Sequence, residues 1–197
     1  MTVSLTSLKQ SLHAGLTAVA QGADPALIYH SNAQLWASHP FNQLQGLEAI
    51  RRVWLQLRYA LPDMQRRDQI FVAGNSKADA RMPDDLEGRV LVASMGHYQG
   101  SFLNDLCGIP ATHGVVNLRV CEVHHLVEGK IAQSYVMLDL LDLMGQAGCW
   151  PIAPSLGAEG MWSGPATNDG VRLHTSDPSG GQIAFDTVIA MHNALGS

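Results

Sequence analysis

Val115-Val116-Asn117-Leu118-Arg119-Val120-Cys121-Glu122-Val123-His124-His125-Leu126-Val127, then Glu128-Gly129, then Lys130-Ile131-Ala132-Gln133-Ser134-Tyr135-Val136-Met137-Leu138 reads as two β-like runs joined by a tight hairpin turn. Working back from that pair, Gly88 to Phe102 contains Val90-Leu91-Val92-Ala93, an apolar run suited to a strand buried on both faces. Ile70 and Val72 alternate with Phe71 and Ala73 until Gly74-Asn75 ends the run. A polar loop at 76–87 and a turn-rich stretch at 105–114 separate these runs, so the spacing describes an antiparallel meander.

The residues ahead of the meander have the helical period. Leu5, Leu8, Leu12, Leu16 and Val19 form one stripe stopped by Gly22. Asp24-Pro25 caps a short helix running to about Tyr29. A brief extended piece follows at Leu35-Trp36, then a loop marked by His39-Pro40-Phe41 and Gly46. Leu47, Ile50, Val53, Trp54, Leu57 and Leu61 make a second stripe that Pro62 ends. Leu140 to Ala147 closes the unit as a short helix with Gly148 beyond it. Helices first and a meander afterwards imply an α+β fold, its helices packed on one face of a curved sheet that wraps a cavity.

Residues 1–150 therefore read as one pocket-bearing domain and 151–182 as a Pro/Gly-rich linker or wrapping arm. Residues 183–197 return to helix, with Ala184, Val188, Met191 and Leu195 on one stripe. Leu12-His13-Ala14-Gly15-Leu16 is echoed by Met191-His192-Asn193-Ala194-Leu195. Two readings stay open: a tandem duplication whose second copy starts here, and coincidence between two short amphipathic helices.

Composition narrows the function classes. Of 197 residues 46% are apolar and 15% charged, which suits a globular core rather than disorder. The net charge of −5 is scattered, and the compact basic cluster Arg66-Arg67 is closed by Asp68, so nucleic acid is not an expected partner. Neither a signal-peptide pattern nor a run of about 20 apolar residues is present, which gives the expectation of a cytoplasmic protein without a membrane partner. Cys107, Cys121 and Cys149 form no Cys-x-x-Cys pair and read as buried free thiols. No His-x-His, His-x-x-x-His, Gly-x-Gly-x-x-Gly or phosphate loop appears, so neither metal nor cofactor is expected.

Three ordered segments carry a resemblance: Gly96-His97-Tyr98-Gln99-Gly100-Ser101-Phe102, Gly108-Ile109-Pro110-Ala111-Thr112, and Glu128-Gly129-Lys130-Ile131 through Leu138-Asp139-Leu140-Leu141 to Gln146-Ala147-Gly148. With His39-Pro40 and Gly46-Leu47-Glu48-Ala49-Ile50, they resemble the SnoaL-like polyketide cyclase family of the nuclear transport factor 2-like, or cystatin-like, fold. The likeness covers roughly residues 5 to 150. It implies a cone of bent antiparallel sheet with helices on its concave face, a deep pocket for a small-molecule ligand, and a homodimer packed through the sheet. For some members it implies cofactor-free aldol closure of a polyketide ring, with an aspartate at the position of Asp139 as acid and base.

The residues themselves allow that chemistry. Aldol closure needs a base beside a carbonyl and an acid for the developing oxyanion. Asp139 is flanked by Met137, Leu138, Leu140 and Leu141, apolar surroundings that favour a protonated carboxyl. The alternative is that Asp139 simply caps the helix starting at Leu140. Strand parity groups Tyr135, Met137 and Asp139. A plain two-residue turn sets Leu118, Val120, Glu122 and His124 beside them; a bulged one sets Asn117, Arg119, Cys121, Val123 and His125 there. The first register is favoured, making Asp139 and His124 the catalytic candidates and Glu122, Tyr135 and Met137 substrate contacts. Either His97 or Tyr98 faces inward to polarise a carbonyl, and Trp36 and His39 sit at the pocket mouth. Two functions follow: a cyclase or isomerase acting on a small carbonyl compound, and a non-catalytic binding or dimerisation module of the same fold.

Overall fold

The computed structural model describes residues 4–77, 87–153, 169–174 and 178–195. Ser4 caps the first helix, α1 (Leu5–Ala20), by accepting a hydrogen bond from the Ser7 amide. Asp24 caps a single 3-10 turn at Pro25–Leu27, where the sequence suggested a short helix. Next come β1 (Tyr29–Ala37), β2 (Gln43–Gln45) and α2 (Leu47–Ala60). The meander is β3 (Gln65–Asn75), β4 (Val90–Ser101), β5 (Val115–Val127) and β6 (Lys130–Leu138), and α3 (Leu140–Gln146) follows it. Within the expected arm lies β7 (Gly170–Val171), and α4 (Pro178–Leu195) starts five residues before the helix expected from 183.

The seven strands order as β2-β1-β6-β5-β4-β3-β7, antiparallel except at the β1/β6 and β3/β7 pairs. Helices α1 and α2 cover one face. Leu12, Leu16 and Val19 of α1 and Ile50, Val53, Trp54 and Leu57 of α2 pack there against Phe71, Val92, Leu118, Val120 and Leu138 from the sheet. Burying each such side chain stabilises the fold by about 1.5–3 kcal/mol. This is the α+β arrangement expected, a curved open sheet with helices on its concave side.

Two bulges decide which residues look inward. Glu128 and Gly129 both have positive φ, 50° and 80°, as a primed two-residue turn requires, and Val127 pairs with Lys130. Beyond Leu126–Ile131, however, His125 pairs with Gln133, leaving Ala132 as an extra residue. That insertion turns the rest of β6 over. Cys121 then faces Met137 and Val123 faces Tyr135, so the favoured register, with Glu122 and His124 beside Tyr135, Met137 and Asp139, is corrected to the bulged one.

The second bulge puts Gln69 between Asp68, paired with Gly96, and Ile70, paired with Met95. A Cβ on Gly96 would collide with the Arg67 carbonyl and lie 2.9 Å from Asp68 Cα, both backbone atoms that cannot swing aside. Gly96→Ala is accordingly expected to cost about 1–3 kcal/mol of unfolding free energy in urea titrations. Unchanged stability would mean that β3 and β4 are not this close.

Candidate functional site

Inside the cone, alternate residues of three neighbouring strands converge on one buried polar cluster. Arg66 and Asp68 come from β3, Ser94 and Tyr98 from β4, and Glu122 and His124 from β5. Arg66 Nη2 lies 2.6 Å from Glu122 Oε2 and 2.8 Å from Asp68 Oδ1, and it donates to Ser94 Oγ at 2.8 Å. Tyr98 donates its hydroxyl proton to Glu122 Oε1 at 2.7 Å, and Ser94 donates to Oε2 at 2.9 Å. His13 of α1 joins from above, 3.1 Å from Asp68 Oδ2 and edge-on to Phe71.

His124 completes the group. It is wholly buried; its Nδ1 bonds Ser134 Oγ at 2.8 Å, while its Nε2 has no hydrogen-bond partner and lies 3.7 Å from Glu122 Oε2. Glu122 is 2% exposed. Burial alone would raise its carboxyl, but Arg66 and the neighbouring His124 outweigh burial and hold it well below the usual carboxylate range. Burial and the Glu122 charge push the Tyr98 hydroxyl well above its ordinary value, so it remains a donor.

The sign of the pH dependence follows. Glu122 binds a proton less readily folded than unfolded, so its stabilisation is complete above the unfolded carboxylate value of about 4.3 and drains as pH falls towards the folded one. The urea midpoint should therefore drop steadily below about pH 4.3, and Glu122→Gln should flatten that slope. A slope identical in both proteins would show that Glu122 is not held ionised.

Little room remains beside the cluster. Tyr29, Trp54, Leu57, Tyr98, Glu122 and Leu138 help enclose a void of about 20 Å³, the space of one water molecule.

The opposite face of the sheet is different. Trp36 stacks on Tyr135 at 4.9 Å with 10° between the rings, and Ile70, Met95, Val123 and Met137 continue an open apolar groove of about 540 Å³. Tyr135 and Met137 are 53% and 67% exposed. Met95, Arg119, Cys121, Met137 and Asp139 line an adjoining hollow of about 260 Å³.

Asp139 belongs to this outer side. It caps α3 by accepting from the Asp142 amide at 3.0 Å, lies 3.7 Å from Arg119 Nε, and its side chain is 34% exposed. The capping role is thus the one its geometry displays. His97 also faces outward, its ring held below the usual histidine value by partial burial and the Arg119 charge. His39 is exposed in the loop after β1.

The expected site is therefore divided by the sheet. Glu122, His124 and Tyr98 lie within; Asp139, Tyr135, Met137, Trp36 and His97 lie without. Sequence reasoning missed Arg66, Asp68, Ser94, Ser134 and His13 as members of the inner cluster. The Arg66-x-Asp68 spacing, which sets both on one strand face, was the available signal. Among the described residues, no three His, Cys, Asp or Glu side chains are placed to hold a metal ion, and no helix is long and apolar enough to cross a membrane.

The chain has the SnoaL-like fold, the cone architecture of the nuclear transport factor 2-like proteins. Its backbone is similar to that of a candidate SnoaL-like polyketide cyclase from Jannaschia sp. CCS1, with a TM-score of 0.53, 14% identity and coverage of 77% of this chain and 99% of that one. It is similar to IdmH, a candidate polyketide cyclase from Streptomyces antibioticus, with a TM-score of 0.54, 17% identity and coverage of 71% and 98%. It is also similar to AclR, a candidate hydroxylase from Streptomyces galilaeus, with a TM-score of 0.55, 15% identity and coverage of 76% and 86%. No protein-family model and no curated protein matches the sequence. At these identities the likeness establishes the fold, and the chemistry has to be argued from the side chains.

Proposed function

We propose that this chain is a non-catalytic assembly module built on the cyclase fold, with the outer face of its sheet as the working surface and a second copy of the chain as partner. The observation that carries this reading is the filled cone. A void of about 20 Å³ beside Glu122 compares with about 300–1,000 Å³ for small-molecule sites. The carboxylate there is neutralised by Arg66, which suits a structural ion pair better than a proton carrier poised near neutrality. Outside, Trp36, Tyr135, Met95 and Met137 form a continuous apolar surface of the kind that marks interaction sites. Sedimentation equilibrium of the whole chain should give twice the monomer mass in the micromolar range. A monomer at every attainable concentration would end this reading.

A second reading keeps the family's acid/base chemistry on a small carbonyl compound, as cyclase or isomerase, inside the cone. One observation favours it: the orphaned His124 Nε2 next to Glu122, since an unpaired buried nitrogen calls for an explanation such as a reacting group. On this reading a substrate enters as α2 moves aside, His124 takes the proton and Glu122 stabilises the resulting imidazolium. Trp54 lines the same space, so its indole N–H resonance reports entry. Polyketide-like carbonyl compounds that shift it in the wild type, and shift it less in Tyr98→Phe, would favour catalysis; a set that leaves it unmoved removes the second reading.

A further inference from the structure

Strand β3 pairs with β4 on one side, and on the other it is met, among the described residues, by β7 alone, which joins it in parallel at Ile70 and Phe71. We infer that this edge of β3 is a strand-addition site for an extended peptide of the form Gly-apolar-x-apolar, and that residues 170–173 of the chain are its resident, displaceable occupant.

Each position of that pattern has a physical reason. Gly170 stands opposite Ile70, beside the bulge at Gln69, and a Cβ there would lie 2.6 Å from the Gln69 carbonyl oxygen and 3.1 Å from Ile70 Cγ1. The carbonyl is backbone and cannot swing aside, so a side chain at this position pushes the added strand off the edge. Val171 and Leu173 are both half-buried and packed against the core, whereas Arg172 and His174 are exposed. That is the alternation of a strand with one side on apolar surface. The main chain between the two anchors is recognised as well. The Arg172 amide donates to the Phe71 carbonyl at 3.0 Å, and Lys9 of α1 donates through Nζ to the Arg172 carbonyl. Lys9 is only 4% exposed, a charged side chain that the fold buries where the added strand passes, although lysine is almost never fully buried without a partner. Gln10 Nε2 lies 2.9 Å from His174 Nδ1 and holds the end of the segment to the same helix. Backbone hydrogen bonds therefore supply affinity, and the glycine and two apolar anchors supply selectivity.

The occupant is lightly held. Its ladder covers two of the eleven residues of β3, and both of its anchors are half-buried. A segment with so few buried contacts opens without unfolding the rest of the domain. Once open, β3 presents the unpaired N–H and C=O groups of an edge strand, a template for another extended chain. The tethered copy competes through its high effective concentration, which keeps the edge closed to weak binders in the wild type.

The test uses the whole chain and a fluorescein-labelled peptide of its residues 168–176, read by fluorescence anisotropy. In Val171→Asp/Leu173→Asp the tethered segment loses both anchors while the edge keeps its residues; circular dichroism and the urea midpoint check that the variant is folded. The peptide is expected to bind this variant at least 10-fold more tightly than the wild type, and a peptide carrying Gly170→Val is expected to lose at least 10-fold of that affinity. Equal binding of the two peptides overturns the edge as their site, and no gain in the variant over the wild type overturns the displaceable occupant. A second measurement needs no destabilised variant. In native-state hydrogen exchange of the wild type, the Arg172 amide should exchange through a local opening that low urea leaves unchanged, while the Val92 amide on the central strand β4 exchanges by global unfolding. An Arg172 amide with the same urea dependence as Val92 overturns the proposal.

Discussion

Glu122→Ala lowers the stability of the fold by about 3–5 kcal/mol in urea titrations at pH 7. The substitution leaves Arg66 charged and buried, its side chain 1% exposed, with Asp68 as the remaining carboxylate at 2.8 Å. It also strips the acceptor from Tyr98 and from Ser94, each costing about 1–3 kcal/mol when left unsatisfied in the interior. Asp68 keeps part of the guanidinium neutralised, which places the expected loss at the lower end of the range. Replacing both partners by apolar residues of similar volume, Arg66→Met with Glu122→Leu, should cost less than the two single changes together, because the buried charge goes with its counter-charge. A loss below about 1 kcal/mol for Glu122→Ala would mean that water reaches the cluster and that the cone is open.

Met137→Asp should have the opposite profile: little change in the stability of the single chain and a large change in association. Met137 is mostly exposed in one copy, where a surface substitution shifts stability by about 0.5 kcal/mol or less. In a dimer closed over the groove, the introduced carboxylate loses its water among Met95, Tyr135 and Trp36, and Arg119 in the adjoining hollow already faces two carboxylates, Asp139 and Asp142. That penalty is several kcal/mol, and 2.7 kcal/mol already corresponds to a 100-fold weaker dimer. The measurement is sedimentation equilibrium of the variant against wild type at equal concentration. A variant that remains as dimeric as wild type places the interface elsewhere.

The helices were legible because their apolar stripes are regular, and α1 and α2 begin at Leu5 and Leu47, the first residues of those stripes. The hairpin turn was legible too, since Glu128-Gly129 accepts the positive φ that a two-residue turn imposes. What lay beyond the sequence was the phase of β6. Ala132 is an ordinary residue in an ordinary run; only the packing of Ile131 and Ser134 on the inner face, three residues apart, reveals the bulge. One unseen residue reassigned every side chain after it, and with them the presumed companions of Asp139. The first strand was underestimated for another reason: His30-Ser31-Asn32 lacks an apolar alternation, leaving Leu35-Trp36 to stand for nine residues.

The inner cluster illustrates a different limit. Arg66 and Glu122 are separated by 56 positions and by the intervening strand β4, so their pairing depends on the registers of two strand pairs at once. Glu122 and His124 on one strand face could be seen, as alternation requires; the cation opposite them could not. Asp139 shows the reverse. Its local reading as the cap of α3 came from the sequence alone, and the geometry has that form, with the side chain meeting Arg119 instead of an enclosed void.

Cys121 is placed to report whether the outer face is covered when the protein assembles. This thiol lines the groove between Met95 and Met137, and its ordinary reactivity is reduced by partial burial, which raises its pKa. With Cys107 and Cys149 replaced by serine, the rate of thiol labelling at Cys121 should fall as protein concentration rises and should stay fast throughout in Met137→Asp. A labelling rate independent of concentration in the wild type, equal to that of the variant, would contradict a covered outer face.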